Sequence, residues 1–81
     1  MVSKAEYKTN DLALAAAIVS SGAQLVRTER LNAQKVTFIF YDEGNLTNII
    51  DAFWADRLTI NARTMFDNIK MLKTRIYEGR S

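Results

Sequence analysis

The stretch from Val36 to Tyr41 constrains the fold of this 81-residue chain more than any other segment. It is β-branched and aromatic, with no glycine, proline or charged residue inside it, and it therefore predicts a strand. Successive side chains of a strand point to opposite faces. The two faces here are Val36, Phe38 and Phe40 on one side, and Thr37, Ile39 and Tyr41 on the other. Neither face is polar enough to lie in water, so we expect both to be covered.

A weaker candidate strand, residues 24–29, precedes this segment, and the polar residues 30–34 suit the loop of an antiparallel hairpin. A hairpin alone is marginally stable and needs helices or further strands against it. Leu58-Thr59-Ile60 is a short extended segment that we assign as an optional third edge strand. Residues 1–8 are predicted to be loose, apart from Tyr7, and residues 79–81 to be a tail.

Three segments carry helix signals. The first begins at Leu12 after Thr9 or Asn10 as N-cap, and Gly22 suits its left-handed C-terminal cap. The second opens at Asp42-Glu43 and ends near Asp56. Its apolar residues follow the spacing of one helical face: Leu46, Ile49, Ile50, Phe53 and Trp54.

The third helix is predicted from Ala62 to about Tyr77, with Asn61 as its N-cap. Its inner stripe is expected to be Ala62, Met65, Phe66, Ile69, Leu72 and Ile76. Together the segments predict a single α+β domain over residues 1–81, in the order α-β-β-α-(β)-α. Its helices pack on a small antiparallel sheet.

The chain contains no cysteine and no histidine, so the commonest general base and the commonest metal ligands are missing. We therefore expect no catalytic, cofactor-binding or metal-binding residues, and no enzymatic activity. The longest apolar run, 12–19, is too short to span a bilayer, and we expect a soluble, cytoplasmic protein without membrane contact.

Several short motifs are spread along the chain: Tyr7-x-Thr9-x-Asp11-Leu12-x-Leu14-Ala15, Gly22, Val36-Thr-Phe38-x-Phe40, Asn61-x-Arg63, Leu72-Lys73 and Ile76-Tyr77. Together they resemble a family of small uncharacterised bacterial and phage domains of unknown function. The resemblance spans residues 7 to 77, although Ala62 stands where that family tends to have proline. It implies the fold and a phage or mobile-element context, and it implies no active site.

The sequence is compatible with two kinds of binding surface. The net charge of +2 is only mildly basic, yet six basic side chains are candidate nucleic-acid contacts: Arg27, Arg30, Lys35, Arg63, Lys70 and Lys73. Five other residues are candidates for self-association: Thr37, Ile39, Tyr41, Trp54 and Met71. We favour a non-enzymatic accessory module that acts through protein–protein contact as a homodimer, with a small nucleic-acid-binding protein as the alternative.

Overall fold

The computed structural model describes residues 5–42 and 44–78. Its elements are β1 (Ala5–Thr9), α1 (Leu12–Ser20), β2 (Leu25–Arg30), β3 (Val36–Asp42), α2 (Leu46–Trp54) and α3 (Ala62–Glu78). The predicted α+β class, with helices on a small antiparallel sheet, is confirmed. The first four residues of the segment expected to be loose, and the expected tail at 79–81, lie outside the described residues.

The strand order is β1-β3-β2, so β3 is the central strand and both of its neighbours run antiparallel to it. The predicted hairpin is β2 with β3. Its register shifts between Leu25, which faces Phe40, and Arg27, which faces Ile39. This irregularity leaves Val26 as the extra residue of a bulge.

The third strand comes from the N-terminal segment, and Leu58–Ile60 is not a strand. Residues 5–8 belong to the polar segment 1–8 that the sequence predicts to be loose apart from Tyr7, and Thr9 is one of the two predicted N-caps of the first helix. In the structure the exposed Glu6 and Lys8 alternate with the half-buried Tyr7 and Thr9. This alternation is typical of a strand that has one face exposed to solvent. Pairing β1 with β3 satisfies hydrogen-bonding groups of the central strand that would otherwise be unpaired.

All three helices pack against the same face of the sheet. The core joins Phe38 and Phe40 of β3 to Leu14 and Ile18 of α1, and Leu46 and Leu72 anchor α2 and α3 to it. The domain measures only 17 Å along its shortest axis, which fits one layer of helices on one sheet.

Helix α1 is the most enclosed element. Ala15, Ala16 and Ala17 have no exposed surface, and the helix packs against both α2 and α3 as well as the sheet. A helix that is apolar all round must be buried all round, and the small side chains allow its neighbours to approach closely. The alanine run therefore places α1 at the centre of the helix layer.

The ends of α1 follow local chemistry. The N-cap is Asp11, whose carboxylate accepts a hydrogen bond from the Leu14 N–H at 3.0 Å, and not Thr9 or Asn10. Thr9 instead accepts from the Asp11 N–H through its hydroxyl. At the other end Gly22 has φ +100°, and the N–H groups of Gly22 and Ala23 bond back to Val19 and Ile18. This is the predicted left-handed cap, in the form of a Schellman motif.

Helix α2 begins four residues later than predicted. β3 continues to Asp42, which pairs with Ala5, and Gly44 at φ +104° then turns the chain. The Asp42 carboxylate accepts from the Gly44 N–H at 2.9 Å, so it closes a turn and does not open a helix. Asn61 does cap α3 as predicted, because its side-chain oxygen accepts from the N–H groups of Arg63 and Thr64.

Candidate protein contact surface

An open apolar groove of about 450 Å³ lies across the outer side of α1, between the end of α2 and the start of α3. Its floor is Ala17, a residue with no exposed surface. Its walls combine side chains of both helices and of the segment that joins them: Phe53, Asp56, Leu58, Ile60, Ala62, Met65, Phe66 and Ile69. The walls are apolar except at Asp56.

The turn after α2 shapes this groove. Asp56 has φ +59°, and the N–H groups of Asp56 and Arg57 bond back to Phe53 and Ala52. The arrangement is a second Schellman motif, with aspartate at the left-handed position where glycine is usual. It redirects the chain so that the half-buried Leu58 and Ile60 enter the groove wall before Asn61 starts α3.

Two of the largest exposed apolar side chains of the described residues belong to this region. Phe66 lines the groove and is 65% exposed, and Trp54 is 62% exposed. The Trp54 ring packs edge-on against Phe53, with centroids 4.9 Å apart and planes at 84°. Since Phe53 also lines the groove, the two exposed rings and the groove form one apolar surface, which we call the groove surface.

Phe66 and Ala62 were predicted to lie on the inner stripe of α3, and both are exposed. The helical period is correct, because Leu72 is buried and Ile69 and Ile76 are half-buried on that stripe. The N-terminal turns of α3 nevertheless line the groove and do not fill the core. A periodic stripe specifies which face of a helix points inward, and not how far along the helix the core extends.

The outer face of the sheet, opposite the helices, is covered by charged side chains. Arg27 of β2 reaches across the central strand and forms two hydrogen bonds with Glu6 of β1, and a third with Glu29. Arg27 is paired in register with Ile39, so its side chain crosses above that residue, and Ile39 has no exposed surface. The aliphatic part of an arginine can cover apolar surface while its charge stays in water.

The pKa values of this group reflect the same contacts. The hydrogen bonds from Arg27 lower the pKa of the Glu6 carboxyl below its ordinary value. The pKa of the Arg27 guanidinium is raised above its ordinary value. The hydrogen bond to Glu6 is the largest cause, and the hydrogen bond to Glu29 is the second. Both Glu6 and Arg27 are therefore charged at neutral pH.

The five residues predicted for self-association do not lie on one surface of the structure. Thr37 and Tyr41 are half-buried on the outer face of the sheet, whereas Ile39 is fully buried beneath Arg27 and is not available to a partner. Met71 is half-buried and packs against the core. Trp54 alone of the five belongs to the groove surface. The structure adds Phe66, Leu58 and Ile60, which only the folded connection between α2 and α3 brings together.

The six predicted nucleic-acid contacts do not form one patch of free charge. Arg27 is paired with two carboxylates, and Arg30 donates to the carbonyls of Asn32, Ala33 and Ile76, which ties the hairpin loop to the end of α3. The other four are exposed: Lys35, Arg63, Lys70 and Lys73. Lys35 lies on the hairpin loop and the other three on α3. Asp67, also exposed, lies between Arg63 and Lys70.

No helix in the described part of the chain is long and apolar enough to cross a membrane. Among residues 5–42 and 44–78, no three acidic side chains gather in a way that could hold a metal ion.

The fold and site define a small α+β domain with three helices on one face of a three-stranded antiparallel sheet and an apolar groove among the helices. The chain belongs to the family described as Domain of unknown function (DUF5659), whose family model matches residues 4–78. No curated protein and no solved structure is significantly similar to it.

Proposed function

We propose that this protein is a non-enzymatic accessory module that acts through protein–protein contact, and that a second copy of the chain occupies its groove surface. The observation that supports this most is the position of Phe66, a ring 65% exposed on the rim of an apolar groove. The same surface thus offers both a projecting side chain and a recess. A two-fold axis lets each copy place its ring against the other's recess, which is the self-complementarity that a symmetric dimer needs.

The size of the surface sets the expected strength. A buried aromatic side chain contributes roughly 150–250 Å², and Phe66 and Trp54 leave somewhat more than half of that exposed in each copy. Four such rings together offer roughly 400–600 Å², which is well below the about 1,200 Å² at the lower end of specific interfaces. We therefore propose a weak dimer that dissociates on dilution.

The proposal also includes a phage or mobile-element context for the protein and a cytoplasmic location. The motif resemblance supports the first. The absence of cysteine is compatible with the second, since reducing compartments do not favour disulfide-dependent proteins.

Nucleic-acid binding is the weaker alternative. Two of its six candidate side chains, Arg27 and Arg30, are engaged within the chain. The remaining cations lie on the hairpin loop and on α3, where Asp67 interrupts the positive charge.

Sedimentation velocity over a range of protein concentrations tests the proposal. The wild-type chain should sediment as a monomer at low micromolar concentration and as a dimer towards millimolar concentration. Phe66→Ser should remain monomeric throughout. Leu31→Ser is the matched control, because Leu31 is 57% exposed on the hairpin loop, away from the groove, and its loss should leave the dimer intact.

A wild-type chain that stays monomeric at the highest concentration would refute the proposal, and so would equal loss of the dimer in both variants. Adding duplex DNA at low salt examines the alternative in the same instrument. A DNA-dependent shift that the Phe66→Ser variant retains would favour nucleic-acid binding.

A further inference from the structure

The outer edge of β1 is a second surface at which the chain can meet a partner. β1 lies at one edge of the sheet and pairs with β3 on one side. In an antiparallel pair every second residue directs its N–H and C=O groups away from the partner strand. No other residue in the described part of the chain bonds to these outward groups of β1. Such an edge is a template on which a further strand can pair.

The two edges of the sheet differ in how well they suit this pairing. On β2 the bulge at Val26 interrupts the ladder, and Arg30 ties the end of the strand to α3. Bulges are a device by which proteins make an edge unsuitable for pairing. β1 has no bulge, and its five residues pair with β3 in unbroken register. β1 is therefore the edge at which another strand fits.

The sequence of β1 is complementary to itself. Glu6 and Lys8 are exposed on the outer face of the sheet, and Tyr7 between them is half-buried against the core. When two copies of β1 run antiparallel with Tyr7 opposite Tyr7, each Glu6 lies opposite Lys8 of the other copy. Opposite charges at directly facing positions stabilise an antiparallel pair.

Both charges can take part in this contact. Lys8 forms no ion pair with another of the described residues. Glu6 is bonded to Arg27, but its carboxylate oxygens have lone pairs left to accept a further hydrogen bond.

Other registers are less favourable. A shift of one strand by two residues sets Glu6 opposite Glu6, or Lys8 opposite Lys8, and these like charges repel. A shift by one residue turns Tyr7 onto the face that carries the charges. We propose that a second copy of the chain pairs along β1 in the register centred on Tyr7, so that two three-stranded sheets join into one continuous sheet.

This edge contact does not rest on the proposed groove contact, because no residue of β1 lines the groove. It is the weaker of the two, since a short ladder of hydrogen bonds and exposed ion pairs hold it, and each of these contributes little. We therefore expect it to leave sedimentation of the free chain unchanged and to be detected by covalent trapping. Together with the groove surface it lets one copy contact two neighbours.

Disulfide trapping tests the register, since the chain has no cysteine of its own. Glu6→Cys and Lys8→Cys are mixed in equal amounts with oxidised glutathione. Directly facing Cα atoms lie about 4.5–5.5 Å apart, within the range that a disulfide spans. The mixture should form a covalent heterodimer roughly tenfold faster than Glu6→Cys mixed with Lys35→Cys, because pairing raises the effective concentration of the two thiols.

Each variant alone is a control for the register. Identical positions are diagonal neighbours in the proposed pair, about 7–8 Å apart, which is beyond the reach of an unstrained disulfide. Glu6→Cys alone and Lys8→Cys alone should therefore form covalent homodimers slowly. Both substitutions are at exposed positions, and thermal melting of the reduced variants verifies that the fold is intact.

The same mixture in the Phe66→Ser background separates the edge contact from the groove contact. Rapid trapping that persists there supports the edge contact, and it does so even if the wild-type chain sediments as a monomer and the groove proposal fails. Trapping at the rate of the Lys35→Cys control refutes the edge contact and leaves the groove dimer standing. Equally rapid trapping of Glu6→Cys alone shows that the register is wrong.

Discussion

Arg27 and Glu6 form a two-bonded ion pair across the central strand, with Nη1–Oε2 at 2.9 Å and Nη2–Oε1 at 3.2 Å. They belong to strands that are not neighbours, since β3 lies between β1 and β2. The pair thus links the two edges of the sheet above Ile39. Ile39 has no exposed surface on this face, and its register partners on the two neighbouring strands are Arg27 and Lys8.

The first prediction distinguishes the contribution of the aliphatic part of the Arg27 side chain to stability from the contribution of its charge. Arg27→Met keeps an unbranched apolar side chain over Ile39, whereas Arg27→Ala removes it. We expect both variants to be less stable than wild type, and Arg27→Ala to be clearly the less stable of the two. Urea denaturation measures the difference, with Lys35→Ala, at an exposed position of the hairpin loop, as the control. Equal losses in the two Arg27 variants would mean that the charge alone matters.

The second prediction concerns pH. Because folding lowers the pKa of Glu6, its contribution to stability is fully present above the ordinary value of 4.5 and is lost as pH falls through the lower folded-state pKa. The melting temperature of wild type should therefore exceed that of Glu6→Gln at neutral pH. The gap should close as pH falls below 4.5 and through the lower folded-state pKa, where the carboxyl becomes protonated. A gap that persists unchanged in strong acid would contradict this account. The effect should be small, since the pair is exposed to solvent.

The third prediction compares the two Schellman motifs. Gly22 and Asp56 occupy equivalent left-handed positions after α1 and α2, at φ +100° and +59°. Gly22→Ala should lower the free energy of unfolding by about 1 kcal/mol, because a Cβ disfavours that conformation. Asp56→Gly should raise it by about 0.5 kcal/mol, since relief of strain slightly exceeds the added entropy of the unfolded chain. Chemical denaturation of both variants checks the opposite signs, and destabilisation by Asp56→Gly would show that the aspartate side chain favours the turn.

The fourth prediction contrasts two phenylalanines. Phe38 is 1% exposed in the centre of the core, so Phe38→Ala should cost about 3–5 kcal/mol and leave this small domain largely unfolded. Phe66→Ala should cost less than about 0.5 kcal/mol when unfolding is followed at a concentration where the chain is monomeric. A large loss for Phe66→Ala would mean that the ring stabilises the fold, and would weaken its assignment to a contact surface.

Local sequence signals predicted several elements well. Strand β3, the hairpin, the glycine cap of α1 and the asparagine cap of α3 each depend on a few neighbouring residues, and each was predicted correctly. The third strand was misplaced because polar residues at alternate positions resemble a loop until a partner strand is present. Pairing with β3 makes residues 5–9 a strand, and the paired residues lie 29 (Thr9 and Phe38) to 37 (Ala5 and Asp42) positions apart in the chain.

The strand from Val36 to Tyr41 shows where the sequence stops determining the structure. Its composition required a central strand with both faces covered, because apolar side chains on either face would otherwise meet water. Only the tertiary structure decided what covers each face: three helices over Phe38 and Phe40, and the stem and ion pairs of Arg27 over Ile39. The groove surface likewise arises from packing, since its residues come from α1, α2, α3 and the connection between α2 and α3. Periodicity describes one element at a time, and such surfaces exist only where several elements meet.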